Sequence, residues 1–336
     1  MLKVTLGKTG ITVNKNGFGC LPIQRVTKEE AAKLLLKAFD RGFQYFDTAR
    51  DYTDSEEKMG YALHKIRPQL FIATKTHAKD AKKFWTDLET SLRLLQTDYI
   101  DVYQFHNPSF VPKPGEENGL YEAALKAQQE GKIRFIGITN HRMPVALEAV
   151  ASGLYATMQY PFSYLANEEE LALVARTKEA KMGFIAMKGM AGGLLPDGRV
   201  SYAFMSKFDH VLPIWGIQRD RELEQFLSCQ DNPPVLDDAM QALIAKNKKE
   251  LVGGFCRSCG YCLPCPVGID IPQAARMSLL LRRFPTHLNL TPERQANMAL
   301  IPKCLHCNHC KDNCPYGLDT PELLKANYAD YLTFLK

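Results

Sequence analysis

The sequence predicts an α/β protein, a (β/α)8 barrel over residues 1–229 followed by a smaller, mostly helical domain over residues 230–336. Two observations carry this. Short β-rich runs alternate with helical patterns through the first two thirds of the chain. Strand patterns then vanish beyond Gln230-Asp231-Asn232-Pro233-Pro234, and eight of the ten cysteines crowd between positions 256 and 314. With 336 residues, 46% of them apolar, the chain is long enough for a barrel plus a small module.

Candidate strands lie at 43–46, 70–73, 100–105, 133–138, 156–160, 183–187 and 211–215, with an initial one near 15–20. Between them, Thr27 followed by Glu30 is a capping box that opens a helix. Phe84, Leu88, Leu92 and Leu95 recur at helical spacing. About eight strand–helix units imply parallel strands with right-handed crossovers, and that number favours a closed barrel over an open sheet.

The cysteine-rich end contains an internal repeat. Cys265-Pro266-Val267-Gly268-Ile269-Asp270-Ile271-Pro272 mirrors Cys314-Pro315-Tyr316-Gly317-Leu318-Asp319-Thr320-Pro321. In each copy the second proline stands where a helix begins, and its missing N–H is harmless there. The second quartet is Cys304-x2-Cys307-x2-Cys310-x3-Cys314 followed by proline, the bacterial ferredoxin spacing for [4Fe–4S] clusters. The first, Cys256-x2-Cys259-x2-Cys262-x2-Cys265, is one residue shorter before its last ligand.

Zinc is the competing reading, but structural zinc sites use separated Cys-x2-Cys pairs, whereas consecutive triplets suit a cubane. With the ferredoxin crossover, Cys256, Cys259, Cys262 and Cys314 take one cluster, and Cys304, Cys307, Cys310 and Cys265 the other. Cys20 and Cys229 read as small core residues.

The formal net charge is +5. Each oxidised cubane with four thiolates carries about −2, so two clusters bring the total to roughly +1. With acids and bases interspersed, nucleic acid is not an expected partner. No apolar run approaches the roughly 18–20 residues that cross a bilayer, and the N-terminus lacks an apolar signal core. A cytoplasmic location without membrane association is expected.

Three polar residues end consecutive apolar strands: Asp47 after 43–46, Lys75 after 71–74 and His106 after 102–105. Tyr52 follows Asp47 in the next loop. Residues so placed converge at the carboxyl face of a barrel, where such folds put their chemistry.

Several stretches together resemble the aldo-keto reductase family. They are Gly42-Phe43-Gln44-Tyr45-Phe46-Asp47-Thr48-Ala49-x-x-Tyr52, Ala73-Thr74-Lys75, the run from Ser91 to His106, Gly137-Ile138-Thr139-Asn140 and the opening Leu6-Gly7-Lys8-Thr9-Gly10. The resemblance covers roughly residues 1–229. The extension resembles a subgroup of these reductases with a ferredoxin-like domain carrying two [4Fe–4S] clusters. The implied fold is a TIM barrel with that C-terminal, mostly helical domain.

By this resemblance Tyr52 is the general acid that protonates a carbonyl oxygen as hydride reaches the carbon. A nearby ammonium favours the phenolate and brings a tyrosine toward a useful acidity. Lys75 would supply it, Asp47 would hold Lys75 charged, and His106 would orient the carbonyl and share its proton. Thr139, Asn140 and Gln159 would contact the nicotinamide amide. Met187 would cover the nicotinamide ring, where many members have an aromatic residue. Gly216, Arg219 and Arg221 would lie at the adenosine phosphate, and the two arginines favour NADPH over NADH because a guanidinium suits a 2′-phosphate. Lys188, Trp215, Phe162 and the loop 107–119 are substrate-pocket candidates.

The implied activity is reversible NAD(P)H-dependent reduction of a small aldehyde or ketone. Nicotinamide delivers two electrons and a cubane passes one. The clusters are therefore structural, or they exchange electrons with a ferredoxin or another carrier. The alternative is a ferredoxin-linked electron-transfer protein whose barrel does not use nicotinamide in the usual way.

Overall fold

The computed structural model describes residues 1–251 and 254–335. An antiparallel hairpin, β1 (Lys3–Thr5) and β2 (Thr12–Asn14), precedes eight parallel strands. These are β3 (Gly17–Gly19), β4 (Tyr45–Asp47), β5 (Phe71–Thr76), β6 (Ile100–His106), β7 (Ile133–Thr139), β8 (Thr157–Pro161), β9 (Gly183–Met187) and β10 (Val211–Gly216). They close into a barrel in which β10 pairs with β3. The expected strands all form. The initial one is shorter than expected, because Asn14 ends the hairpin and pairing with β4 begins only at Phe18.

Each barrel strand is followed by a helix: α1 (Lys28–Asp40), α2 (Ser55–Leu63), α3 (Ala81–Leu95), α4 (Leu120–Gln129), α5 (Met143–Ser152), α6 (Glu168–Glu179), α7 (Gly198–Ser206) and α8 (Asp220–Asp231). The Thr27 capping box opens α1: Glu30 N–H donates to Thr27 Oγ1, and Thr27 N–H donates to the Glu30 carboxylate. Helix α3 buries Phe84, Leu88, Leu92 and Leu95, the stripe read from the spacing.

The hairpin decides which barrel end is open. Val4, Leu6, Ile11 and Val13 pack with Tyr45, Val102, Ile185 and Leu212 in one apolar cluster. Residues at the start of the strands are thus covered by apolar side chains, and the polar residues lie at the strands' carboxyl ends.

Two compact units form: Met1–Gly189 with Asp197–Gln241, and Met190–Pro196 with Ala242–Lys336. The expected division at 229/230 falls inside the last turn of α8, which still belongs to the barrel. Gln230 is buried and donates to Arg41 O at 2.6 Å, and Asp231 pairs with Arg41. The helix α9 (Asp238–Glu250) spans the observed division.

The second unit is helical: α10 (Ile271–Ala274), α11 (Met277–Arg283), α12 (Pro292–Met298), α13 (His309–Asp312) and α14 (Thr320–Thr333). Ile269, Ile271, Met277, Leu281, Met298 and Leu324 form its core. The sequence repeat is a structural one. Gly268 and Gly317 both adopt positive φ, at 79° and 62°, which turns each chain toward a helix with proline in its first turn. The segment Met190–Pro196 is held within this unit by arginines, Arg276 Nη1 donating to Gly192 O at 2.6 Å and Arg283 Nε to Leu194 O at 3.0 Å.

Candidate active site

Register places the polar residues side by side. Asp47 is the last residue of β4; Lys75 on β5 stands opposite Gln104 on β6, and His106, last on β6, stands opposite Thr139 on β7. Gly137 faces Gln104 across β6 and β7, and a Cβ there would come within 2.9 Å of Gln104 Cγ. The absent side chain leaves room for Gln104 to extend.

Lys75 and Asp47 are both buried. Lys75 Nζ donates to Asp47 Oδ1 at 2.6 Å and to Thr48 O at 2.5 Å. Gln104 Nε2 reaches Asp47 Oδ2 at 3.3 Å, and Gln159 Nε2 reaches Oδ1 at 3.3 Å. Gln104 also donates to Gln159 Oε1 at 2.9 Å. Burial pushes the Asp47 carboxyl up, and the Lys75 ammonium and both amides oppose it. Burial pushes Lys75 down, and Asp47 opposes that. Each charge is held in place chiefly by the other.

Tyr52 follows in a loop that is itself fixed. Arg50 pairs with the buried Glu56, whose other oxygen accepts from Thr74 Oγ1 at 2.6 Å. Thr48 Oγ1 donates to Ser55 Oγ at 2.9 Å, and Ser55 donates to Cys20 O at 3.0 Å. This brings the Tyr52 ring centre to 5.4 Å from Lys75 Nζ and 5.9 Å from the His106 ring, edge to face at 81°. The four residues expected to be catalytic are therefore together. His106 is pushed well below the usual imidazole range by burial first, then by His77, Lys75 and His141. It is neutral near pH 7 and suited to offering a hydrogen bond.

Two polar residues that the motifs did not single out join them. His77 Nε2 lies 3.0 Å from Asp51 Oδ2, and its ring stacks on His106 with centres 4.0 Å apart and 19° between planes. Donor atoms of Asp51, His77 and His106 lie within 4.8 Å of one another, as metal ligands do. The stacking argues against an ion. Imidazole lone pairs lie in the ring planes, and two nearly parallel planes cannot aim them at one ion about 2.0–2.1 Å from each.

The expected nucleotide contacts differ among themselves. Thr139 and Gln159 are buried neighbours across β7 and β8. Asn140 is already committed: Nδ2 donates to Pro108 O at 2.8 Å, and Oδ1 accepts from the His141 and Arg142 amides. Gln159 is likewise tied to Asp47 and Gln104, which its sequence context did not reveal. Met187 ends β9, half-buried, and Gly216 ends β10 with its surface exposed. Arg219 and Arg221 are exposed at the start of α8.

In the second unit all eight clustered cysteines are free of disulfides. They line two cavities, one with Cys256, Cys259, Cys262 and Cys314, the other with Cys265, Cys304, Cys307 and Cys310. Cys310 also reaches the first cavity and Cys262 the second. The Arg257 guanidinium lies 4.7 Å from the centre of the Tyr316 ring, which ties the loop of the first triplet to the loop carrying Cys314. The donor set fits iron–sulfur clusters, since sulfur ligands approach each cavity from a triplet and from one distant cysteine.

Comparison with known proteins agrees with both halves. Residues 12–225 match the aldo/keto reductase family, and residues 255–319 match the 4Fe-4S dicluster domain. The oxidoreductase YqkF of Bacillus subtilis, itself uncharacterised, is 29% identical over 231 residues, which is 61% of this chain and 74% of YqkF. L-galactose dehydrogenase of Arabidopsis thaliana is 30% identical over 211 residues, 57% of this chain and 66% of the relative. An aldo-keto reductase of Klebsiella pneumoniae, solved in complex with NADPH, superposes with a TM-score of 0.63 at 24% identity, covering 74% of this chain and 96% of that one. That last likeness establishes the barrel fold, and the family match over most of the barrel goes further: the chain belongs to the aldo/keto reductase family and carries a 4Fe-4S dicluster domain at its C-terminal end.

Proposed function

We propose that the barrel catalyses reversible reduction of a small aldehyde or ketone with NADPH or NADH, Tyr52 acting as general acid. The observation that carries this is the buried Lys75–Asp47 pair with the Tyr52 ring 5.4 Å from Lys75 Nζ and His106 beside it. Nicotinamide, when bound beside these residues, would supply the hydride for the carbonyl carbon. Tyr52 gives its phenolic proton to the carbonyl oxygen, and the Lys75 ammonium stabilises the phenolate that remains. Asp47 keeps that ammonium charged in a buried site. His106, neutral, donates an N–H to the carbonyl oxygen and orients it, so Tyr52 alone gives up a proton. Thr139 and Met187 line the nicotinamide side. Asn140 acts there by holding its loop, because its amide is already bonded within the protein. NADPH is the preferred form, on the charge of Arg219 and Arg221; the Klebsiella neighbour was solved with NADPH.

The cysteines hold two [4Fe–4S] clusters in crossed fashion, Cys256, Cys259, Cys262 and Cys314 on one and Cys265, Cys304, Cys307 and Cys310 on the other. The lining of the two cavities supports this partition. The closeness of the cavities, each touched by Cys262 and Cys310, favours a second reading in which the module also passes single electrons to a carrier.

The test is anaerobic. NADPH and NADH are added to cluster-loaded protein, binding is followed by nicotinamide fluorescence and the clusters by visible absorbance, with methylglyoxal as the probe carbonyl. Nucleotide binding and turnover are expected, with Tyr52→Phe slowing turnover about 10²–10⁴-fold at unchanged iron content. Binding of neither nucleotide, or full turnover by the variant, overturns the reading. Bleaching on nucleotide addition would establish electron exchange with the clusters.

A further inference from the structure

The Asp51–His77 pair is built from two loops that the tetrad motifs leave open, one residue before Tyr52 and two after Lys75. It does not hold an ion, for the stacking reason given above. Its effect falls on His106. The two rings lie face to face at 4.0 Å, so two imidazolium charges cannot persist there together. The surroundings of the two rings differ. His77 is one-third exposed and has a carboxylate at 3.0 Å, whereas His106 is buried and faces Lys75 and His141.

We propose that Asp51 and His77 are positioning residues for His106: Asp51 holds the His77 ring flat on His106, and the stacked imidazole, added to burial, keeps His106 an N–H donor to the carbonyl oxygen that does not compete with Tyr52 for the proton. The proposal rests on the carbonyl-reduction reading. The other charged groups around the pair are Arg50 and Lys83, which act on Asp51, and Lys75 and His141, which act on His106. His106 is displaced downward by burial first and by His77 next, in keeping with this arrangement. The carboxylate also fixes the tautomer of His77, with its Nε2–H directed at Asp51 and the face of the ring left to stack.

The experiment titrates the histidines of the full-length, cluster-loaded protein by NMR with ¹⁵N-labelled histidine, the His106 signal being assigned by its loss in His106→Gln. His77→Phe keeps an aromatic face and removes the imidazole nitrogens; His77→Gln removes the ring altogether and is a second, smaller substitution. Both are expected to raise the midpoint of His106 by about one pH unit, and the acidic limb of kcat/KM for methylglyoxal to move upward with it. A His106 midpoint and acidic limb unchanged in both variants overturn the proposal. A wholly structural role for His77 would lower activity without moving either. Tyr52→Phe separates the two layers: turnover retained there defeats the reduction reading, while the His106 midpoint still judges the pair.

Discussion

At the carboxyl end of the barrel, buried charge is met by the protein itself. Lys75 has Asp47 and a carbonyl, Asp47 has two amides, and Glu56 has Arg50 and Thr74. In the cysteine unit, eight thiols are gathered around two cavities and no disulfide joins any of them. Burial pushes the Cys262 thiol up to about 12, with Cys256 and Cys259 beside it adding to the effect. One site is assembled by complementary side chains, and the other is assembled for an external cation. The difference teaches that one half is held by its own charges and the other by a group from outside, so the two should fail separately.

The largest effect that tests this is iron removal. Anaerobic chelation is expected to abolish protease resistance across residues 254–335 while the barrel keeps a cooperative thermal transition. The unit's own core is small, resting on residues such as Ile271, Met277, Leu281 and Leu324, and metal binding in such units is folding energy. Mass spectrometry of the cleavage products reads the outcome. Equal protection of both halves after chelation would break the comparison.

Next in size is the barrel's own pair. Lys75→Met leaves the Asp47 carboxylate buried without its cation, a change that costs about 3–5 kcal/mol. Urea unfolding should show that loss at unchanged iron content, and Asp47→Asn added to it should recover part of the loss because no charge is then left unpaired. A loss below about 1 kcal/mol would mean that water reaches the pair and that the site is not held by its own charges.

Much of this was legible in the sequence, and the limits are physical. The seven later strands lie where their apolar runs put them, since a strand buried on both faces reads as a continuous run. Asp47, Lys75 and His106 were legible because each ends such a run. The Asp51–His77 pair was not: its members sit in separate loops, and only the register of β4 against β5 brings those loops together. The tie of Gln159 to Asp47 was hidden for the same reason, being a contact across the barrel. Met190–Pro196 carries no cysteine and no motif, so its unit shows only in the fold, in bonds such as those from Arg276 and Arg283. The division near 230 misled because Asn232-Pro233-Pro234 breaks the helix just after its barrel-bound end, where Gln230 is still bonded to Arg41.

The smallest effect compares two buried lysines within the barrel unit. Lys15 is buried too, though less deeply than Lys75, and its Nζ meets backbone carbonyls, Ser206 O at 3.5 Å and Phe208 O, where Lys75 meets a carboxylate. Burial lowers Lys15 from 10.5 to about 8, and the more distant Asp209 opposes this only in part. The sign follows from proton counts. Between pH 8 and 10.5 the unfolded chain holds a proton that the folded chain has released, so stability rises with pH across that window. Below it the folded protein carries the buried cation at a cost; above it both states are neutral and the cost is gone. At 1.36 kcal/mol per unit, the rise is about 3 kcal/mol at most. Lys15→Met should abolish it, so that the stability difference between variant and parent, measured by urea unfolding, shrinks as pH climbs from 8 to 10.5. A difference that stays flat across that range would show that carbonyl dipoles hold the Lys15 charge as well as Asp47 holds that of Lys75. Buried charge in this barrel would then not need a carboxylate, and the Lys75–Asp47 pair would have to be explained by its chemistry alone.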